Sequence, residues 1–172
     1  MNKKFWFWKN NYLYFVEKIA YNSWYDDIMS FKLFCYELNK HKGDIVVVIN
    51  SFGGDFYAGV LIYYTLKSYN GKVIVKIIGW AGSAASLIAM SGDIVEISSV
   101  GKIFVHNPIF EFHNVVEENI ISMDDVIDNI VEIYKYKSHL SEEKIKQFMN
   151  NETCFNANES VCFGFADKII GW

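Results

Sequence analysis

Residues 72–92 read KVIVKIIGWAGSAASLIAMSG, and the fold turns on how that stretch is read. Val73–Ile78 is a β-branched run of the kind found in strands covered on both faces. The chain then passes through Gly-Trp-Ala-Gly into small residues, Ser83–Met90, that read as a helix. Small side chains let a helix lie close to a sheet. A serine at a strand-to-helix corner also sits where backbone N–H groups converge. Packing and chemistry both account for the stretch, so the rest of the chain has to choose.

Upstream, Asp44–Ile49 (DIVVVI) is another buried-strand run, followed by the turn SFGGDF and a helix over Tyr57–Tyr69. Before it lie a strand over Leu13–Lys18 and a helix over Met29–His41, whose apolar residues recur at helical spacing. Downstream, Ile94–Ser98 and Ile103–Val105 read as strands and Ile109–His113 as a hairpin arm. Met123–Lys137 and Ser141–Met149 read as helices, the second opening on Ser-x-x-Lys rather than a capping box. Val161–Phe165 and Lys168–Ile170 are the last elements. Strands alternating with helices predict a parallel α/β sheet of βαβ units, whose ligands gather beyond the carboxyl ends of the strands. Three candidate loops leave such ends: Asn50–Phe56 with Gly-Gly, Gly79–Ser83 with a serine, and His106–Pro108 with a histidine.

Composition narrows the chemistry. The 172 residues are 52% hydrophobic and 17% aromatic, enough for a single domain with a real core and against disorder. The net charge of −4 and the absence of any dense lysine block argue against a nucleic-acid partner. There is no arginine, and so no bidentate clamp for phosphate or carboxylate. Cys35, Cys154 and Cys162 lack metal or CxxC spacing, which predicts reduced thiols in a cytoplasm. The four histidines form no HExxH pair, and neither metal nor cofactor is expected. The longest uncharged stretch, Ile77–Gly92, is too short for a membrane span, and the aromatic N-terminus lacks the pattern of a signal peptide.

Each candidate residue has a structural reading beside the chemical one. Ser83 before a helix is a preferred N-cap, the commoner role on local context. It is also how a nucleophile is presented, although Gly82 directly before it breaks a strict G-x-S-x-G elbow. Ser86 reads as a small packing residue. Gly53-Gly54 serves a tight turn, yet would also let an N–H approach a substrate carbonyl. His106 stands at a strand end, where most histidines are bystanders, but Pro108 restricts Asn107 to extended geometry and so fixes its projection. His113 has no such support.

Taken in order, INSFGGDFYAGVLIYYTLKSYNGKVIVKIIGWAGSAASLIAMSGD and then KIFVHNP resemble the ClpP family, the proteolytic subunits of the Clp protease. That family's pattern of Asn-Ser-Pro-Gly-Gly, Ala-Gly, Gly-x-Ala-x-Ser and His-x-Pro is met, with Phe52 in place of the proline. The similarity runs from about Tyr21 to Ile170. NSxGGDxxAG, SAASxIAMSGD and NETxFxAxES look most like phage and prophage ClpP-like head maturation (prohead) proteases.

The resemblance implies a ClpP/crotonase-type α/β fold in one domain over 1–172, with a protruding strand–helix handle from Ile109 to about Lys137. It implies an ATP-independent serine endopeptidase with Ser83 as nucleophile, His106 as general base, and Gly54 and Ala84 supplying the oxyanion N–H groups. Glu152 matches the family's aspartate; Asp93 and Asp167 match positions that are structural there. Implied partners are protein or peptide substrates (capsid or scaffold proteins for a phage enzyme), other copies in heptameric rings that can stack, and in a housekeeping enzyme an AAA+ unfoldase. No nucleic acid or membrane is implied. The setting is the cytoplasm, that of the bacterial host if phage-encoded. Substrate is expected to add as a strand beside Phe56 and Ile109. The apolar residues of 126–134 are expected to exceed what one chain can bury. An idle ring or scaffold subunit and a crotonase-like acyl-CoA enzyme stay open as other readings.

Overall fold

The computed structural model describes residues 4–20, 28–109 and 122–171. In chain order the elements are β1 (Phe7–Lys9), β2 (Tyr12–Phe15), α1 (Ile28–Leu38), β3 (Ile45–Ser51), α2 (Phe56–Lys67), β4 (Val73–Gly82) and α3 (Ala84–Ala89). They continue through β5 (Ile94–Ser98), β6 (Lys102–Val105), α4 (Met123–Ser138), α5 (Glu142–Asn150), β7 (Thr153–Asn156), α6 (Ala157–Cys162) and β8 (Lys168–Ile170). One eight-stranded sheet runs β1-β2-β3-β4-β5-β8, with β6 paired to β4 and β7 to β6. From β2 to β8 along that path every pairing is parallel. The mixed α/β architecture expected from the alternating pattern is therefore present.

The β-branched runs form the middle of the sheet because both of its faces are covered there. Ile45, Ile49, Val75, Ile77, Val95 and Ile97 are fully buried. The small-residue helix is explained by packing as well: all six residues of α3 are buried. A methyl added at Gly59 of α2 would lie 3.0 Å from the Ala84 side chain. Glycine facing alanine is what allows α2 and α3 to approach.

One expectation needs correction. Gly79–Gly82 is not a loop but the last part of β4, which changes neighbours: Ile74–Ile77 pair with β5, whereas Trp80–Gly82 pair with β6. The pairing with β3 skips between Ile49 and Ser51, because Ile49 faces Ile77 while Ser51 faces Ala81. The Asn50 side chain fills the gap, its Oδ1 accepting from the Trp80 N–H at 3.0 Å. A side chain on Gly79 would collide with that same oxygen. Bulges of this kind re-aim a strand end, and here the strand end carries Ser83.

The helix over 126–134 also departs from expectation. Val126, Ile130, Val131, Ile133 and Tyr134 are each at most 3% exposed within one chain, and Ile127 is partly buried against the same core, so most of this apolar face is covered within the chain. Its start is set by a capping box between Ser122 and Asp125. Ser141 caps α5 by accepting from the Lys144 N–H, without a box, as Ser-x-x-Lys predicts. The expected hairpin arm at Ile109–His113 lies outside the described residues from position 110 onward, as do His113 and the first part of the handle.

Candidate active site

Ser83 joins β4 to α3 with φ 51° and ψ −124°, and its side chain makes no capping hydrogen bond. Positive φ is uncommon for a residue with a Cβ, and such strain persists only where the surroundings over-determine it. Here they do. The Ser83 N–H donates to the Phe104 carbonyl at 2.9 Å, and its own carbonyl accepts from the Ser86 N–H at 2.8 Å. With the backbone held at both ends, Oγ is turned away from the helix and lies 2.9 Å from His106 Nε2. The expected capping role is not the one that the side chain performs.

His106 follows β6 directly, and its ring stacks on Phe104 at 5.2 Å between centroids. Asn107 donates to the Asn150 side chain at 2.8 Å, tying the loop to α5. Burial pushes the imidazole below its usual range, and the charge of Glu152 raises it in part. A neutral ring with Nδ1 protonated accepts the Ser83 proton at Nε2.

Glu152 reaches this site through β7, a strand absent from the sequence reading. β7 runs antiparallel to β6 with Val105 facing Thr153; His106 follows the one and Glu152 precedes the other, each just outside its strand. Glu152 is exposed and holds φ 47°, its N–H donating to Met149 O at 3.1 Å. Among the described residues its carboxylate makes no hydrogen bond to His106, so the two meet through charge. Asp93 and Asp167 are engaged elsewhere. Asp93 accepts from the Val73 N–H at 2.8 Å, and Asp167 from the Val95 N–H at 2.6 Å and from Lys137 Nζ at 2.7 Å.

Gly53 and Gly54 pass beside the serine corner. A methyl on Gly53 would lie 2.8 Å from Ser83 Cβ and 3.0 Å from the Ala84 nitrogen. The Gly53 N–H is taken by Ser51 Oγ at 3.1 Å, and the Gly53 carbonyl accepts from Ile19. The Gly54 and Ala84 N–H groups find no acceptor among the described residues. Asp55 caps α2 by accepting from the Ala58 N–H at 2.6 Å.

Phe56 is the first residue of α2, so it offers no strand edge to an incoming chain, contrary to expectation. Beside the site an isolated parallel bridge joins Gly54 to Ile19, with Gly53 at φ 101° and Gly54 at φ 154°. Next to it, Phe52 is 73% exposed and packs against Trp80 at 5.0 Å. Ser86, by contrast, is fully buried, with Oγ donating to the Ser83 carbonyl at 2.6 Å. Asn50, Phe104 and Asn150 also support the site and were not picked out from the sequence, because each acts through contacts distant along the chain. Among the described residues no cluster of His, Cys, Asp or Glu could hold a metal ion, and no helix is long and apolar enough to cross a membrane.

Comparison with known proteins bears on what this geometry is. Residues 7–171 match the family described as Clp protease. The ATP-dependent Clp protease proteolytic subunit of Deinococcus radiodurans is 26% identical over 132 residues, 74% of this chain and 65% of that protein. Subunit 2 of Streptomyces coelicolor is 26% identical over 151 residues, 84% of this chain and 69% of that protein. The translocation-enhancing protein TepA of Halalkalibacterium halodurans is 23% identical over 150 residues, 81% and 58% of the two chains. The match thus spans less than two thirds of the Deinococcus and Halalkalibacterium proteins. Among solved structures, a mutant of ClpP1 from Listeria monocytogenes superposes with a TM-score of 0.74 at 20% identity, covering 95% of this chain and 92% of that one. At that identity the likeness is one of fold.

Proposed function

This chain belongs to the Clp protease family, and from that premise we propose that it is a serine endopeptidase acting through Ser83, His106 and Glu152. The observation that carries the reading is the 2.9 Å contact between Ser83 Oγ and His106 Nε2 at a strained strand end. Ser83 Oγ attacks the peptide carbonyl carbon while its proton passes to His106 Nε2. The resulting oxyanion accepts from the Gly54 and Ala84 N–H groups, which have no other acceptor among the described residues. The C–N bond breaks, and the leaving amine takes the proton from His106. Water then attacks the acyl carbon and gives its proton to His106; the ester C–Oγ bond breaks, His106 returns the proton to Ser83 Oγ, and the acid product departs. The Glu152 charge favours the imidazolium formed at each attack. The mechanism calls on no metal or cofactor and is carried by one domain over residues 1–172.

The test is treatment with a fluorophosphonate followed by intact-mass analysis. One adduct is expected, lost in Ser83→Ala and retained in Ser86→Ala. Labelling that survives Ser83→Ala overturns the proposal.

Two finer roles follow from different features. The motifs NSxGGDxxAG, SAASxIAMSGD and NETxFxAxES support a phage or prophage head maturation protease that trims capsid or scaffold proteins without ATP. The relatives named as ATP-dependent proteolytic subunits support equally a subunit fed by an AAA+ unfoldase. Either role places the chain in homo-oligomeric rings, heptameric and able to stack. Native mass spectrometry reads the assembly. Degradation of a folded protein only when an unfoldase and ATP are supplied selects the second role, and unaided cleavage of a co-expressed capsid protein selects the first.

A further inference from the structure

The mechanism uses Ser83 and leaves unexplained a second hydroxyl three residues away. Ser86 Oγ is fully buried and contacts two oxygens, the Ser83 carbonyl at 2.6 Å and the Tyr134 hydroxyl at 2.7 Å. A serine hydroxyl carries one proton. A carbonyl oxygen can only accept, so the Ser86 proton lies on the Ser83 carbonyl. The Tyr134 O–H must then donate to Ser86 Oγ, and the order Tyr134, Ser86, Ser83 is fixed. We propose that Tyr134 is a positioning residue for the nucleophile, holding the strained Ser83 corner through Ser86.

Three observations support it. First, the Ser83 carbonyl is one of the two backbone anchors that keep the residue at φ 51°. The Ser86 hydroxyl bond to it is its shortest, at 2.6 Å against 2.8 and 3.4 Å for the Ser86 and Leu87 N–H groups. Second, Tyr134 cannot drift, being 2% exposed on α4 and packed edge-on against Phe165 at 5.6 Å. Third, hydrogen bonds in a dry interior polarise one another, so the Tyr134 donation strengthens the Ser86 bond that follows it. Burial also pushes the phenol upward, which keeps it a donor. The relay links two elements 48 residues apart in sequence, and it spends two buried polar side chains where apolar ones would pack at lower desolvation cost.

The inference rests on the proposed serine chemistry, and the experiment separates the two. Fluorophosphonate labelling rates are measured for the wild-type chain, Tyr134→Phe, Ser86→Ala and the double variant, with circular dichroism confirming that each folds. Tyr134→Phe keeps the ring and removes only the hydroxyl. It is expected to slow labelling about tenfold, less than the hundredfold that a misplacement of about 1 Å costs. In peptide cleavage the loss falls on kcat with KM unchanged, and the midpoint of the pH profile set by His106 does not move. The double variant is expected to be no slower than Ser86→Ala alone, because Tyr134 acts only through Ser86. A wild-type chain that does not label overturns the serine reading and the relay with it. A labelling wild type with an unchanged Tyr134→Phe rate, or with additive losses in the double variant, overturns the relay alone. Should Tyr134→Phe fail to fold, Ser86→Ala against Ser86→Thr decides: recovery of rate by the threonine hydroxyl supports the relay, and no recovery refutes it.

Discussion

Ser83 Oγ and His106 Nε2 stand 2.9 Å apart although 23 residues separate them, because β4 and β6 lie side by side with Gly82 facing Phe104. The contact depends on the imidazole being neutral, and that gives the first prediction. Burial holds the His106 pKa below 6.5, with Glu152 opposing in part. The base is therefore competent above a midpoint lower than 6.5, and kcat/KM should rise with pH through that midpoint and level off near neutrality. The sign for stability is the same. The unfolded chain binds the proton more readily between the two pKa values, so stability is fully present above pH 6.5 and declines as pH falls through that window. A pH profile with its acid limb above 6.5 would contradict the burial argument.

Strain at Ser83 predicts that activity and stability oppose each other there. Positive φ costs a residue with a Cβ about 1–3 kcal/mol, a cost that glycine escapes. Ser83→Gly and Ser83→Ala should both abolish labelling. Ser83→Gly should melt higher than Ser83→Ala, by an amount matching about 1 kcal/mol once the added chain entropy of glycine is subtracted. Equal melting temperatures would mean that the surroundings relax the corner.

Gly54 offers a sharper separation of binding from chemistry. A methyl there would run into the Ile19 carbonyl and carry a side chain at φ 154°. Gly54→Ala should thus break the Ile19 bridge and move one oxyanion donor. Removing such a donor costs about 10²–10³ in kcat, and KM should change far less. A variant that loses only KM would assign the Gly54 N–H to ground-state binding.

The parts of this molecule legible in its sequence are those where burial leaves a local mark. The stretches 44–49, 73–78 and 94–98 read as strands because their β-branched residues are covered on both sheet faces. The serine and histidine show because each lies on a segment that leaves a strand end. What stays hidden depends on partners far along the chain. β7 has four residues with only Phe155 buried among them, too little for a periodic signal. The capping box between Asn156 and Glu159 that follows it is the trace a closer reading could use. The extension of β4 past Gly79 is unreadable locally, since Asn50 on another strand repairs the bulge. The width of the apolar face on α4 misleads for the same reason: what covers it comes from elsewhere in the fold.

Glu152 is the least constrained member of the site, and its variants separate three accounts of the acid. It lies next to the last β6–β7 pair, Val105 and Thr153, and its charge acts on His106, yet no hydrogen bond joins the two side chains among the described residues. An acid that fixes the tautomer by direct contact costs about 10⁴ in kcat when replaced by its amide. An acid that acts through charge across a gap costs less. Glu152→Gln should therefore lower kcat by well over tenfold but by less than about 10⁴. Because the Glu152 charge raises the His106 pKa, its removal should also shift the acid limb of the profile to lower pH. Asp93→Asn and Asp167→Asn should keep turnover and lose stability, since those carboxylates accept from the Val73 and Val95 N–H groups. The measurements are kcat/KM on a peptide, the pH profile, and the melting temperature of each variant. A loss of 10⁴ for Glu152→Gln would mean that the carboxylate closes onto Nδ1 once substrate binds. Wild-type turnover and an unmoved acid limb would leave His106 and Ser83 working as a dyad, with burial alone setting the base.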